Sequence, residues 1–87
     1  MSHVVEVFFS EHCPSCPEAR AVARHLAASR PDVVVVEHDV GHSLDLATRY
    51  QLLATPALVI DGHAVLYGVP LLATLEARLA ASTPPAL

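Results

Sequence analysis

The chain has 87 residues, enough for one small domain near the lower limit for an unaided core. Apolar residues make up 53%, and nine carboxylates against five arginines and no lysine leave a net charge of −4. That balance offers no basic stripe for nucleic acid, and no apolar run approaches the ~20 residues of a membrane span. The amino-terminal MSHVVEVFF carries no basic region and no small-residue cleavage site. The expectation is therefore no secretory signal and a cytoplasmic protein, in a compartment that keeps thiols reduced.

Residues 3–9 (HVVEVFF) are β-branched and aromatic apart from Glu6, and predict a mostly buried strand. From Pro14 to Ser29 the pattern becomes helical, with Ala19, Val22, Ala23 and Leu26 on one face and Arg20 and Arg24 on another. Arg30-Pro31 ends it, because a residue before proline is pushed out of the α region. The run Val33-Val34-Val35-Val36 predicts a strand covered on both faces, and hence parallel to the first. After Gly41, Ser43 is placed to cap a short helix over 44–51, with Asp45 in its first turn. Residues 57–60 and 63–67 predict a hairpin joined by Asp61-Gly62, a dipeptide that tolerates the positive φ of a tight turn. Pro70 suits the first turn of a last helix whose Leu71, Leu72, Leu75 and Leu79 form an apolar stripe. The expected order is β-α-β-α-β-β-α over residues 1–82 as a single domain, with 83–87 a frayed tail.

The only two cysteines, Cys13 and Cys16, lie in SEHCPSCP at the junction of the first strand and first helix. Open α/β sheets place their sites at such junctions. Residues three apart at a helix start lie on one side, within the ~4.4–6.8 Å Cα separation a disulfide requires. Cys13 at the helix mouth would be held as a thiolate by free amides and the dipole, and would attack a substrate disulfide. Cys16, one turn inward, would resolve the mixed disulfide. Pro14 and Pro17 stiffen the loop, His12 could add positive charge, and Ser15 could donate a hydrogen bond to sulfur.

Two other readings compete. A purely structural crosslink closing so short a loop contributes only ~2 kcal/mol in the chain-entropy account. A zinc site could combine Cys13 and Cys16 with His38 and His42, but 21 residues separate Cys16 from His38 where a finger has about 12–15.

C-P-S-C after a hydrophobic strand, followed by Tyr50, by Thr55-Pro56-Ala57-Leu58-Val59-Ile60-Asp61-Gly62 and by Tyr67-Gly68, resembles a thioredoxin-fold redox protein. The resemblance runs from about residue 3 to residue 81. It implies an α/β fold with a four-stranded mixed sheet flanked by helices and a redox-active Cys13–Cys16 disulfide with no bound cofactor. It implies a cis Pro56 packed against the cysteines, Thr55 pairing its backbone to an extended substrate, and Gly68 admitting substrate from the other side. The chain lacks the extra amino-terminal strand and helix of thioredoxin proper, and its size is similar to the small thioredoxin- and glutaredoxin-like proteins of prokaryotes.

Two departures bear on function. The buried strand-one aspartate of thioredoxins aligns with Val7, leaving no carboxylate relay for Cys16, and Glu6 points to the opposite face. Gly68-Val69-Pro70-Leu71 stands where glutaredoxins carry a Gly-Asp pair for glutathione. The sequence therefore points to a dithiol–disulfide oxidoreductase acting on protein disulfides. The implied substrate-binding residues are His12, Pro14, Ser15, Thr55, Pro56 and Gly68. The expected donor is a thioredoxin-reductase-type flavoenzyme rather than glutathione, and the expected state is a monomer with no metal. The alternatives are a glutathione-dependent glutaredoxin and a non-enzymatic binding or zinc-holding module.

Overall fold

The computed structural model describes residues 2–85. Strands β1 (His3–Phe9), β2 (Val33–Asp39), β3 (Ala57–Ile60) and β4 (Ala64–Tyr67) alternate with helices α1 (Cys16–Ser29), α2 (Leu44–Arg49) and α3 (Leu72–Ala80) in the expected order. The strands form one mixed sheet in the order β2-β1-β3-β4, with β1 parallel to β2 and antiparallel to β3, and β3 antiparallel to β4.

Strand alternation divides the core between two faces. Val5 and Val7 of β1, Leu58 and Ile60 of β3 and Val33 of β2 turn to one face. There Ala19, Ala23 and Leu26 of α1 and Leu75 and Leu79 of α3 pack over them. Phe8, Ala57 and Val59 turn to the other face, beneath Leu46 and Tyr50 of the α2 segment. Glu6 also faces that side. It accepts hydrogen bonds from Tyr50 Oη and His38 Nε2, each at 2.9 Å, while Phe8 packs against both rings. Burial, and then the Glu6 carboxylate, push the Tyr50 phenol above its ordinary pKa.

Five local expectations need correction. β2 is parallel to β1 but is an edge strand, and Val34 and Val36 are exposed at 45% and 38%. The six-residue α2 packs over β1 and β3 and leaves that part of β2 open. Ser43 makes no side-chain capping bond, and α2 stops at Arg49 rather than Gln51. Its carboxyl end is closed instead by the Tyr50 and Gln51 N–H groups and by Gln51 in the left-handed region (φ 53°). α1 begins at Cys16, not Pro14, with Cys13–Ser15 forming a turn in which the Cys16 N–H donates to the Cys13 carbonyl (3.3 Å). Leu71 precedes α3 and is exposed, so the buried stripe of that helix is Leu75 and Leu79, with Leu72 packed at its edge.

The hairpin follows the expected chemistry. Asp61 and Gly62 adopt φ of 52° and 76°, and the His63 N–H donates to the Ile60 carbonyl across the turn. Asp61 is also the sole buried charged side chain among the described residues. Its Oδ1 accepts the Val4 N–H (2.7 Å), and its Oδ2 accepts His3 Nδ1–H and Ser82 Oγ–H (2.6 Å each). Burial pushes this carboxyl up, but the bonds from Ser82, His3 and Val4 outweigh it and hold its pKa below the ordinary value. Residues 83–85 follow α3 without regular structure, and residues 86–87 of the expected tail lie outside the described residues.

Candidate functional site

The carboxyl end of β1 delivers residues 10–15 to the amino end of α1, and the two cysteines meet there. Cys13 and Cys16 are joined as a disulfide with their Cα atoms 5.4 Å apart. Their environments differ: Cys13 is half-buried, whereas Cys16, the first residue of α1, is 2% exposed. Pro17 in the first helical turn fits because its missing N–H would have no intrahelical partner. Ser15 Oγ lies 4.0 Å from Cys13 Sγ, at the outer limit of a hydrogen bond to sulfur. His12 and Pro14 are exposed, and His12 makes no hydrogen bond among the described residues. Above the end of β1, the Arg20 guanidinium lies 3.9 Å from the centre of the Phe9 ring and is held by Glu37 of β2.

A second loop, residues 51–56, approaches from the carboxyl end of α2. It ends in a cis Thr55–Pro56 bond, with Pro56 buried and Thr55 half-buried. Ser10, three residues before Cys13, hydrogen-bonds through Oγ to Thr55 Oγ1 (2.9 Å) and so ties this loop to the cysteine-bearing one. Gly68, at φ 81°, donates its N–H to the Pro56 carbonyl (3.0 Å). A side chain there would be strained by the backbone alone, since a Cβ would meet nothing within 4 Å. Among the described residues the backbone N–H and C=O of Thr55 make no hydrogen bond, which leaves them available to a strand laid alongside.

Of the residues singled out from the sequence, the structure therefore joins Cys13 to Cys16, Thr55 to the cysteine loop through Ser10, and Gly68 to Pro56. His12, Pro14 and Ser15 belong to the cysteine turn itself. Ser10 and Tyr67 make contacts that the sequence does not announce: the Tyr67 phenol accepts the Leu53 N–H at 3.2 Å. Pairs separated by 45 and 14 residues leave no periodic signal in a single sequence. The histidines weighed for zinc lie elsewhere in bonding terms. His38 bonds Glu6 and stacks on Phe8, and exposed His42 lies beside Asp39. No group of three or more His, Cys, Asp or Glu among the described residues is placed to hold a metal ion. No helix among those residues is long and apolar enough to cross a membrane.

A family model described as a thioredoxin domain matches residues 3–80. A thioredoxin of Methanocaldococcus jannaschii is 37% identical over 67 residues, spanning 76% of this chain and 79% of that protein. A probable thioredoxin of Methanothermobacter thermautotrophicus is 36% identical over the same length and shares. Among solved structures, oxidised mitochondrial thioredoxin 3 of Saccharomyces cerevisiae superposes with a TM-score of 0.80 at 26% identity, over 93% of this chain and 79% of that one. A variant thioredoxin of Halobacterium salinarum shares the fold at a TM-score of 0.82, with 24% identity over 99% of this chain and 79% of that one. With a C-x-x-C disulfide at the expected place, the chain is a thiol–disulfide oxidoreductase, and the glutaredoxin reading is not favoured. By domain match and by its archaeal relatives alike, this chain belongs to the thioredoxin family.

Proposed function

We propose that the protein reduces disulfides in other proteins, with Cys13 as nucleophile and Cys16 as resolving thiol. The observation that carries this reading is the unequal exposure of a bonded pair: an attacking sulfur must reach substrate, and a resolving sulfur need only reach Cys13. In the reduced protein the Cys13 thiolate attacks one sulfur of the substrate disulfide, and the other sulfur leaves as a thiolate. Cys16, after losing its proton, attacks Cys13 Sγ. The Cys13–Cys16 disulfide forms, and the second substrate sulfur departs with the electron pair of the broken bond. Two electrons pass to the substrate, and a flavoenzyme of the thioredoxin-reductase type returns them.

His12, Pro14 and Ser15 line the approach to Cys13, while Thr55, Pro56 and Gly68 receive the substrate backbone as an added strand. The free backbone groups of Thr55 and the open space at Gly68 support that assignment. Val7 stands where thioredoxins carry a buried aspartate, so we assign the proton of Cys16 to solvent or to the departing thiolate. We place the working unit in one polypeptide, residues 1–82 acting as a monomer in the cytoplasm, with no metal or other cofactor.

Insulin reduction tests the proposal, run with dithiothreitol in one arm and with glutathione plus glutathione reductase in another. Turnover is expected with dithiothreitol. Turnover confined to the glutathione arm would overturn the donor assignment, and none in either arm would overturn the activity on proteins.

A further inference from the structure

Loop 51–56 presents the backbone on which the proposed substrate pairing depends, yet few bonds hold it. The Leu52 N–H donates to the Ala47 carbonyl (3.0 Å), and the Pro56 carbonyl accepts from Gly68 (3.0 Å). Between these points, among the described residues, a single hydrogen bond reaches the loop backbone: Leu53 N–H to Tyr67 Oη. Leu53 is 88% exposed, so little packing restrains it. Tyr67, by contrast, is the last residue of β4 and is fixed in register opposite Ala57. Because Tyr67 and Gly68 are adjacent, the end of β4 grips residues 53–56 at both ends, by a phenol and by an amide.

We infer that Tyr67 is a positioning residue for capture of extended polypeptide substrates: its hydroxyl, by accepting the Leu53 N–H, holds the Leu53–Thr55 backbone in the shape to which a substrate strand pairs. The inference rests on the reading of Thr55 given above and assigns the phenol a task that the cysteines do not perform. A substrate that reacts at Cys13 without lying along Thr55 gains nothing from this bond. A protein substrate does, because the loop's ordering cost has been met before it arrives.

Tyr67→Phe keeps the ring and removes only the acceptor. Reduced wild-type and variant proteins are mixed with insulin over a range of concentrations, and separately with the small aromatic disulfide 5,5′-dithiobis(2-nitrobenzoate). The expected result is a KM for insulin raised about three- to tenfold, the consequence of losing one neutral hydrogen bond. The maximal rate, the rate with the small disulfide and the midpoint potential of the cysteine pair stay as in wild type. An unchanged KM for insulin, or an equal loss with both disulfides, would overturn the inference. The underlying reading is tested apart by Thr55→Pro, which removes the pairing N–H: if insulin reduction survives it unchanged, that reading fails, and this inference fails with it.

Discussion

The strongest prediction outside the redox site concerns Asp61, which fastens the start of β1, the β3–β4 turn and the end of α3. Asn is the informative replacement because it keeps the size of Asp and tolerates the left-handed backbone at φ 52°. Its carbonyl still serves the Val4 N–H, and its amide faces Ser82 and His3, each of which can turn to accept. What disappears is the charge that strengthened the bonds. Hydrogen bonds to ionised groups contribute about 1.5–3 kcal/mol against about 1 for neutral ones. Three of them on a buried carboxylate predict a loss of roughly 1.5–6 kcal/mol, and even the lower figure is a fall in Tm of about 6–12 °C for a domain of this size. The pH dependence gives a sharper test. The folded pKa of Asp61 is depressed, so its stabilisation is present above the unfolded value of about 3.9 and is lost as pH falls through the folded one. Wild type should therefore lose its advantage over Asp61→Asn in acid, where protonated Asp61 and Asn are near equivalents. Urea unfolding of both proteins from pH 7 downward reads this directly. A stability gap that stays constant into acid, or one below about 0.5 kcal/mol at pH 7, would refute the reasoning.

Cys13→Ser should abolish turnover, whereas Cys16→Ser should accumulate a mixed disulfide visible on a non-reducing gel. Alkylation of the reduced protein near pH 6, followed by mass spectrometry, should label Cys13 first. Gly68→Ala and Gly62→Ala place a Cβ at similar positive φ and in open space, so each should cost about 1 kcal/mol or somewhat more by thermal unfolding. Only the Gly68 variant should also lower kcat/KM for insulin, because only there does the added carbon face the proposed groove. Tyr50→Phe should destabilise by about 1–2 kcal/mol at neutral pH through loss of the bond to Glu6. The folded pKa of Tyr50 is raised, so that bond persists below about 10 and is lost as pH rises through the folded value. Denaturant titrations of the two proteins should accordingly converge at strongly alkaline pH.

Local chemistry made most elements readable in the sequence. The β-branched and aromatic run of residues 3–9, the Asp61-Gly62 turn and the Arg30-Pro31 helix stop each act over a few residues, and the elements they announce are present. The cysteine spacing likewise announced a pair able to bond. What escaped depended on contacts made across the fold. Four valines in a row look the same whether a second layer covers them or not, and the shortness of α2 left Val34 and Val36 open. Asp61 was legible as a turn former but not as a buried anchor, because His3 and Ser82 lie 58 and 21 residues away. Ser10 and Tyr67 were hidden for the same reason, and Ser43 failed as a cap although its residue type suits one.

The open edge of β2 also bears on how the protein behaves when crowded or heated. An unpaired strand with valines on its free face is a template for adding strands from other copies, the first step of fibril growth. Here the uncharged stretch is only Val33–Val36, shorter than the five to seven residues that such stacking commonly uses. Pro31 and Asp32 stand before it and Glu37, His38 and Asp39 after it, with Glu37 kept ionised by Arg24 and Arg20. The ion pair that fastens α1 to the sheet thus also places charged side chains at the end of the sticky segment.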